Sequence, residues 1–145
     1  MAEKKVKGLI LRPGKYLEEI EIEDSLQGMY NAIGCDIIQV AVIGTDKEGN
    51  RWQMILDEEG KINRRQVPNA PLDSFGLVGD TGWGPMLFLG LTPDSENCDL
   101  TDASKDEIHE RLLWRSPRKF DNDPFLEEDY DNKSRTITVE RFGRE

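Results

Sequence analysis

Ile37-Ile38-Gln39-Val40-Ala41-Val42-Ile43, Thr45-Asp46-Lys47-Glu48-Gly49-Asn50 and Arg51-Trp52-Gln53-Met54-Ile55-Leu56 follow one another almost without a break. The first and third runs are β-branched, aromatic or otherwise apolar, and the polar stretch between them turns the chain, so the whole reads as an antiparallel hairpin. The first run is nearly continuous in apolar residues, which places it at the centre of a sheet with both faces covered. Asp57-Glu58-Glu59-Gly60 is a second turn, into a short strand expected at Lys61 to Asn63.

Upstream, Val6 to Arg12 is a strand stopped by Pro13-Gly14. Tyr16 to Glu23 returns beside it, with Ile20 and Ile22 inward and Glu19, Glu21 and Glu23 outward. Asp24 or Ser25 opens a helix whose Leu26, Met29, Tyr30 and Ile33 form one apolar stripe. Gln27 makes an approximate capping box with Asp24, and Gly34 stops the helix. Downstream, Arg64 to Gly84 is broken by Pro68, Pro71, Gly76, Gly79, Gly82 and Gly84. It reads as an ordered loop of about twenty residues, a length that is often functional in a compact domain. Pro85 to Leu91 is another buried strand. Asp99 or Thr101 begins a second helix to about Trp114, with Ser104 and Glu107 as an S-x-x-E capping box and Ile108, Leu112 and Leu113 inward. Arg135 to Phe142 alternates again around Ile137 and Val139, as a late strand or an arm for a partner chain. No internal repeat is visible. The expected fold is α+β, an antiparallel, meander-rich sheet of five to six strands with two packed helices. Residues 1–114 form that domain, and residues 115–145 an irregular acidic C-terminal extension that carries the late strand.

The length of 145 residues suits one domain, and three Trp, five Phe and three Tyr can anchor a core. Against 19 Lys and Arg stand 29 Asp and Glu, for a net charge of −10. That balance argues against direct nucleic-acid binding and against docking on anionic membranes. The acid is unevenly spread: residues 91–132 hold 13 acids against 5 bases, while residues 133–145 hold 2 against 4. No window approaches the roughly 18 apolar residues of a membrane span. Leu9-Ile10-Leu11, behind Lys4, Lys5 and Lys7, is too short for a signal peptide. Cys35 and Cys98 cannot make a disulfide framework and fit a reducing, cytoplasmic compartment.

Catalytic signatures fail one by one. His109 is the single histidine, which removes metal sites built on several imidazoles. His109-Glu110 begins like H-E-x-x-H, but Leu113 stands in the fifth position. Ser116-Pro117-Arg118-Lys119 matches S-x-x-K, yet Pro117 blocks the turn that would bring Lys to Ser. Gly82 and Gly84 start a G-x-G, with Leu87 where the third glycine belongs. No catalytic residue, metal site or cofactor is assigned, and the chain is expected to be a binder, not an enzyme.

Two regions could bind. Arg64, Arg65, Asn69, Asp80 and Trp83 of the central loop could capture a small nucleotide signal. There the arginines would meet phosphate, the Trp face a base, and amides around Gly79, Gly82 and Gly84 an anion. The plainer account is a Trp plugging the core and arginines paired with nearby acids. The second region is Asp121, Asp123, Phe125, Glu127, Glu128, Asp129, Tyr130 and Asp131, where aromatics sit within acid as in segments that order on a partner protein. Its charges could also imitate nucleic-acid phosphates toward the basic groove of a DNA-handling protein. A solvated surface is the ordinary alternative, and the ligand register of a calcium loop is absent. Tail exchange in a homo-oligomer is a further outcome.

The order of these pieces resembles a family of uncharacterised small domains found in phages, plasmids and other mobile elements. The pieces are Pro13-Gly14-Lys15, Ser25-Leu26 to Gly34, Asp36-Ile37-Ile38-Gln39-Val40, Glu58-Glu59-Gly60-Lys61, Pro68-Asn69, Gly79 to Gly90 and Leu100-Thr101. The resemblance covers residues 6–113 and transfers no catalytic residue. It implies an accessory, anti-defence protein acting on a host protein, in the host cytoplasm if phage-encoded.

Overall fold

The computed structural model describes residues 4–62 and 65–115. Along the chain run β1 (Lys5–Leu11), β2 (Glu18–Glu23), α1 (Leu26–Ile33), β3 (Ile38–Thr45), β4 (Arg51–Asp57), β5 (Pro68–Pro71), β6 (Thr81–Trp83), β7 (Met86–Leu91), β8 (Asn97–Cys98) and α2 (Asp102–Arg111). The main sheet has the order β2-β1-β7-β4-β3, with β8 beside β7, and every pairing is antiparallel. Strands β5 and β6 make a separate two-stranded sheet. The fold is α+β, built from two hairpins bridged by β7.

The first hairpin follows its pattern. Val6 pairs Ile22 and Gly8 pairs Ile20, so the isoleucines of β2 turn to the α1 side while Glu19 and Glu21 remain exposed. Ser25, not Asp24, caps α1: its Oγ accepts the Gly28 N–H at 2.9 Å and donates to Glu23. Gln27 donates to Asn31 instead of closing a box with Asp24. Gly34, at φ 81°, ends the helix with its N–H on the Tyr30 carbonyl. Met29 and Ile33 are buried, but Leu26 is half exposed, so the apolar stripe is narrower than its spacing implied.

Strand β3 departs furthest from expectation. Among the described residues it is not central; it forms the outer edge of the sheet, paired to β4 alone. The ladder is irregular between Val40 and Val42, leaving Ala41 as an extra, bulged residue. Ala41 and Val42 therefore both lean on the core, while Val40 and Ile43 stay 46% and 54% exposed. The central place belongs to β7, whose six residues are all buried between β1 and β4.

The middle and the end of the chain also differ from expectation. Lys61 and Ile62 lie in a turn rather than a strand, and Asn63 falls outside the described residues. The supposed loop of Arg64 to Gly84 contains β5, a 3-10 turn at Asp73–Phe75, and β6. Helix α2 is capped by Thr101, whose side chain accepts the Ser104 N–H, so Ser104 and Glu107 form no cap. Leu113 is 37% exposed in the short 3-10 turn Leu113–Arg115 that follows. The acidic extension and its late strand lie outside the described residues.

Each face of the sheet has its own core. Met29 and Ile33 of α1 cover Val6, Ile10, Ile22, Ile55, Leu87 and Leu89. On the other face, Ile108 and Leu112 join Leu9, Trp52, Met54, Phe75 and Phe88. Trp52 is wholly buried there and sits opposite Gly44, its cross-strand partner. A Cβ at position 44 would overlap the indole's Cζ2 and Cε2. Gly44→Ala is accordingly expected to cost about 1–3 kcal/mol through overpacking. A lower urea midpoint at unchanged slope checks it; an unmoved midpoint would show that the indole can swing clear.

Candidate functional site

The described central-loop residues do not all line one cleft. Asp80 and Trp83 line a cleft of about 360 Å³ with Gln39, Ala41, Lys61 and Leu77. Lys61 Nζ donates to Asp80 Oδ1 at 2.5 Å, which together with the Thr81 N–H holds that carboxyl below the usual range. Asp57, also lining the cleft, has no exposed side-chain surface. Its carboxylate accepts the Glu59 N–H, Gln66 Nε2 at 3.0 Å and Arg65 Nε at 3.3 Å. Arg65 donates onward to Asp36 at 3.2 Å, a bond that raises its already high pKa.

Asn69 serves the architecture. Its Nδ2 donates to the carbonyls of Leu11 and Gly84, 2.8 Å each, and its Oδ1 accepts from Arg115. Arg115 also donates to the carbonyls of Arg12 and Lys15, fastening the last described turn to the first hairpin. The Gly84 and Asp80 amides reach the carbonyls of Val67 and Leu77, so they do not face an anion. Arg64 lies outside the described residues, as do Asp121, Asp123, Phe125, Glu127, Glu128, Asp129, Tyr130 and Asp131.

The acidic element that leads to those residues is α2, and it is firmly placed. Asp46, 4% exposed at the tip of the β3–β4 hairpin, accepts Thr101 Oγ1 at 2.6 Å and Ser104 Oγ at 2.7 Å on one carboxylate oxygen. The other oxygen accepts the amides of Glu48 and Asn50 at 2.9 and 3.0 Å. Burial pushes this carboxyl upward, but the four hydrogen bonds to its charged form prevail and hold it at about 2. At the other end of α2, the Arg111 guanidinium lies 5.8 Å from the Trp52 ring and 5.6 Å from that of Phe75. It also donates to Glu107 and to the Ser74 carbonyl.

With that side locked, Asp102, Asp106 and Glu110 recur every four residues as an exposed row. Asp106, Glu107 and Glu110 line an open hollow of about 440 Å³ between α2 and Lys47. Glu19 of β2 joins the same flank through Lys105 at 3.4 Å. His109 is half-buried on this helix, and no group of three metal-ligating side chains occurs among the described residues. Cys35 and Cys98 are unbridged, with burial raising both thiols. Among the described residues no helix is long and apolar enough to cross a membrane.

The Asp46 knot was missed by sequence reasoning. An Asp opening a D-x-x-G turn was a partial signal, but its two hydroxyl donors lie 55 and 58 residues away.

Residues 6–113 match the model of the family described as Domain of unknown function (DUF3846), and the chain belongs to that family. No curated protein and no solved structure matches it. The family match ends just beyond α2 and before the acid-rich segment.

Asp46→Ala would leave the buried Ser104 hydroxyl, the half-buried Thr101 hydroxyl and two turn amides without their acceptor, at an expected cost of about 2–4 kcal/mol. Because the folded pKa lies below the unfolded one, the carboxylate's contribution is complete above about pH 4 and is lost as the pH falls toward 2. Urea midpoints taken from pH 5 to pH 2 should therefore drop more in the native protein than in the variant. Parallel curves would assign the acid sensitivity to other groups.

Proposed function

We propose that this DUF3846 domain is a non-catalytic binding protein that engages a basic protein surface through α2 and the acid-rich segment after it. The carrying observation is the exposed row Asp102, Asp106 and Glu110 on a helix whose opposite side is fixed by Asp46, Ile108, Leu112 and Arg111. Charges on a fixed scaffold need little ordering when a partner arrives, and a row of exposed carboxylates steers a basic partner toward it. The sequence from Asp121 to Asp131 adds six acids, and its Phe125 and Tyr130 are of the aromatic type that is enriched in protein interfaces. A groove that otherwise holds nucleic-acid phosphates has the complementary chemistry. The partner is on this reading a host protein, and the domain an accessory factor that blunts its action.

The competing idea, capture of a nucleotide, has Trp83 as its asset. The cleft around Trp83 is lined by Asp57, Glu58 and Asp80, and its lysine, Lys61, is paired to Asp80. A phosphate there would meet carboxylates, so the geometry favours the protein partner.

Neutralising α2 with Asp102→Asn, Asp106→Asn and Glu110→Gln should weaken capture of the host protein by at least about tenfold while the thermal midpoint stays within a few degrees. Removing residues 121–131 should weaken it further, and binding by the native chain should fall between about 50 and about 200 mM salt. Capture indifferent to salt and to both changes would overturn the proposal.

A further inference from the structure

We propose that two copies of this chain associate edge to edge through β3, antiparallel, with Val40 opposite Ile43 of the second copy. This surface lies on the α1 side of the sheet, away from α2, and does not rest on the function proposed above.

The main sheet ends in two very different edges. Strand β2 reads Glu-Glu-Ile-Glu-Ile-Glu, and four glutamates along an outer strand repel an identical strand. Strand β3 carries no charge from Ile37 to Thr45, and along it Ile37, Val40 and Ile43 are 39%, 46% and 54% exposed. In a chain of net charge −10, the uncharged edge is where two copies meet with least repulsion. Helix α1 packs on β2 and β7, and among the described residues nothing buries Val40 and Ile43 on that side.

The bulge supplies the register. In a regular strand residues 40 and 43 point to opposite faces. The extra residue at Ala41 turns Val40 and Ile43 to the same face, where Val40 stands opposite Ile55 of the α1-side core. A two-fold axis between Ala41 and Val42 then sets Val40 against Ile43 on both sides of the axis. Residues facing one another across antiparallel strands share a face, as this pairing requires. The bulge interrupts the ladder at the axis itself, and the two flanking segments make the pairing.

Sedimentation equilibrium of the full chain should show a monomer–dimer equilibrium. Val40→Lys or Ile43→Lys should weaken the dimer at least tenfold, with unchanged far-ultraviolet circular dichroism. A chain monomeric from micromolar to millimolar concentration overturns the proposal and leaves β3 to a strand from another protein or to the chain's own C-terminal segment. A dimer indifferent to Val40→Lys overturns the location.

Discussion

Strand β7 supplies both cores at once. Met86 and Phe88 point to the Trp52 side and Leu87 and Leu89 to the α1 side, each fully buried. The β1–β2 and β3–β4 hairpins are local structures that, among the described residues, meet within the sheet only through this strand. Two hairpins of this size are marginal alone, because neither can cover its apolar face. Inserting β7 between them completes the ladder on both sides and closes two cores with one segment. The fit leaves no slack: a Cβ on Gly8 of β1 would overlap the Phe88 carbonyl. Everything placed on the faces of the sheet, α1 on one and α2 with β5 and β6 on the other, presupposes that central strand.

The two apolar runs Ile37–Ile43 and Met86–Leu91 look alike in sequence, and both suggest a strand covered on both faces. Only β7 is. The run in β3 is continuous for another reason: the bulge at Ala41 shifts the alternation by one, so core-facing and outward-facing positions are both apolar. A period of two cannot be read through an extra residue. The first hairpin and α1 were legible because their cues are local, namely the Pro13-Gly14 turn, the alternation of β2, and Gly34 at the helix end. The segment from Arg65 to Gly84 was not. Its short strands are held by Asn69, which reaches back 58 residues to the Leu11 carbonyl. Pairing of that kind leaves no trace in local composition.

The candidate site was legible in the same uneven way. Charge counting pointed to α2 and the segment after it, because an excess of acid is visible without knowing the fold. The capping box at Ser104 and Glu107 matched a real motif by chance of spacing. The true cap is Thr101, and the Ser104 hydroxyl serves Asp46, a residue of a distant hairpin. Arg65 and Asn69 were picked for chemistry that could bind a ligand, and they satisfy Asp57 and three backbone carbonyls or side chains instead. A polar side chain in a loop has two fates, and only partners from elsewhere in the chain decide between them.

Asp46 joins the two surfaces to which interactions are assigned. It follows β3 directly and fixes the first turn of α2. A link of this kind transmits a signal only if it has two arrangements whose balance binding can shift. Asp46 is buried, charged and satisfied by four donors, two from its own hairpin and two from α2. Moving α2 away from β3 would strand a buried carboxylate, at a cost of several kcal/mol. The knot therefore acts as a brace. Association along β3 and charge contacts on α2 should add without cooperativity, the first setting how many acidic faces an assembly displays and the second setting what each face attracts.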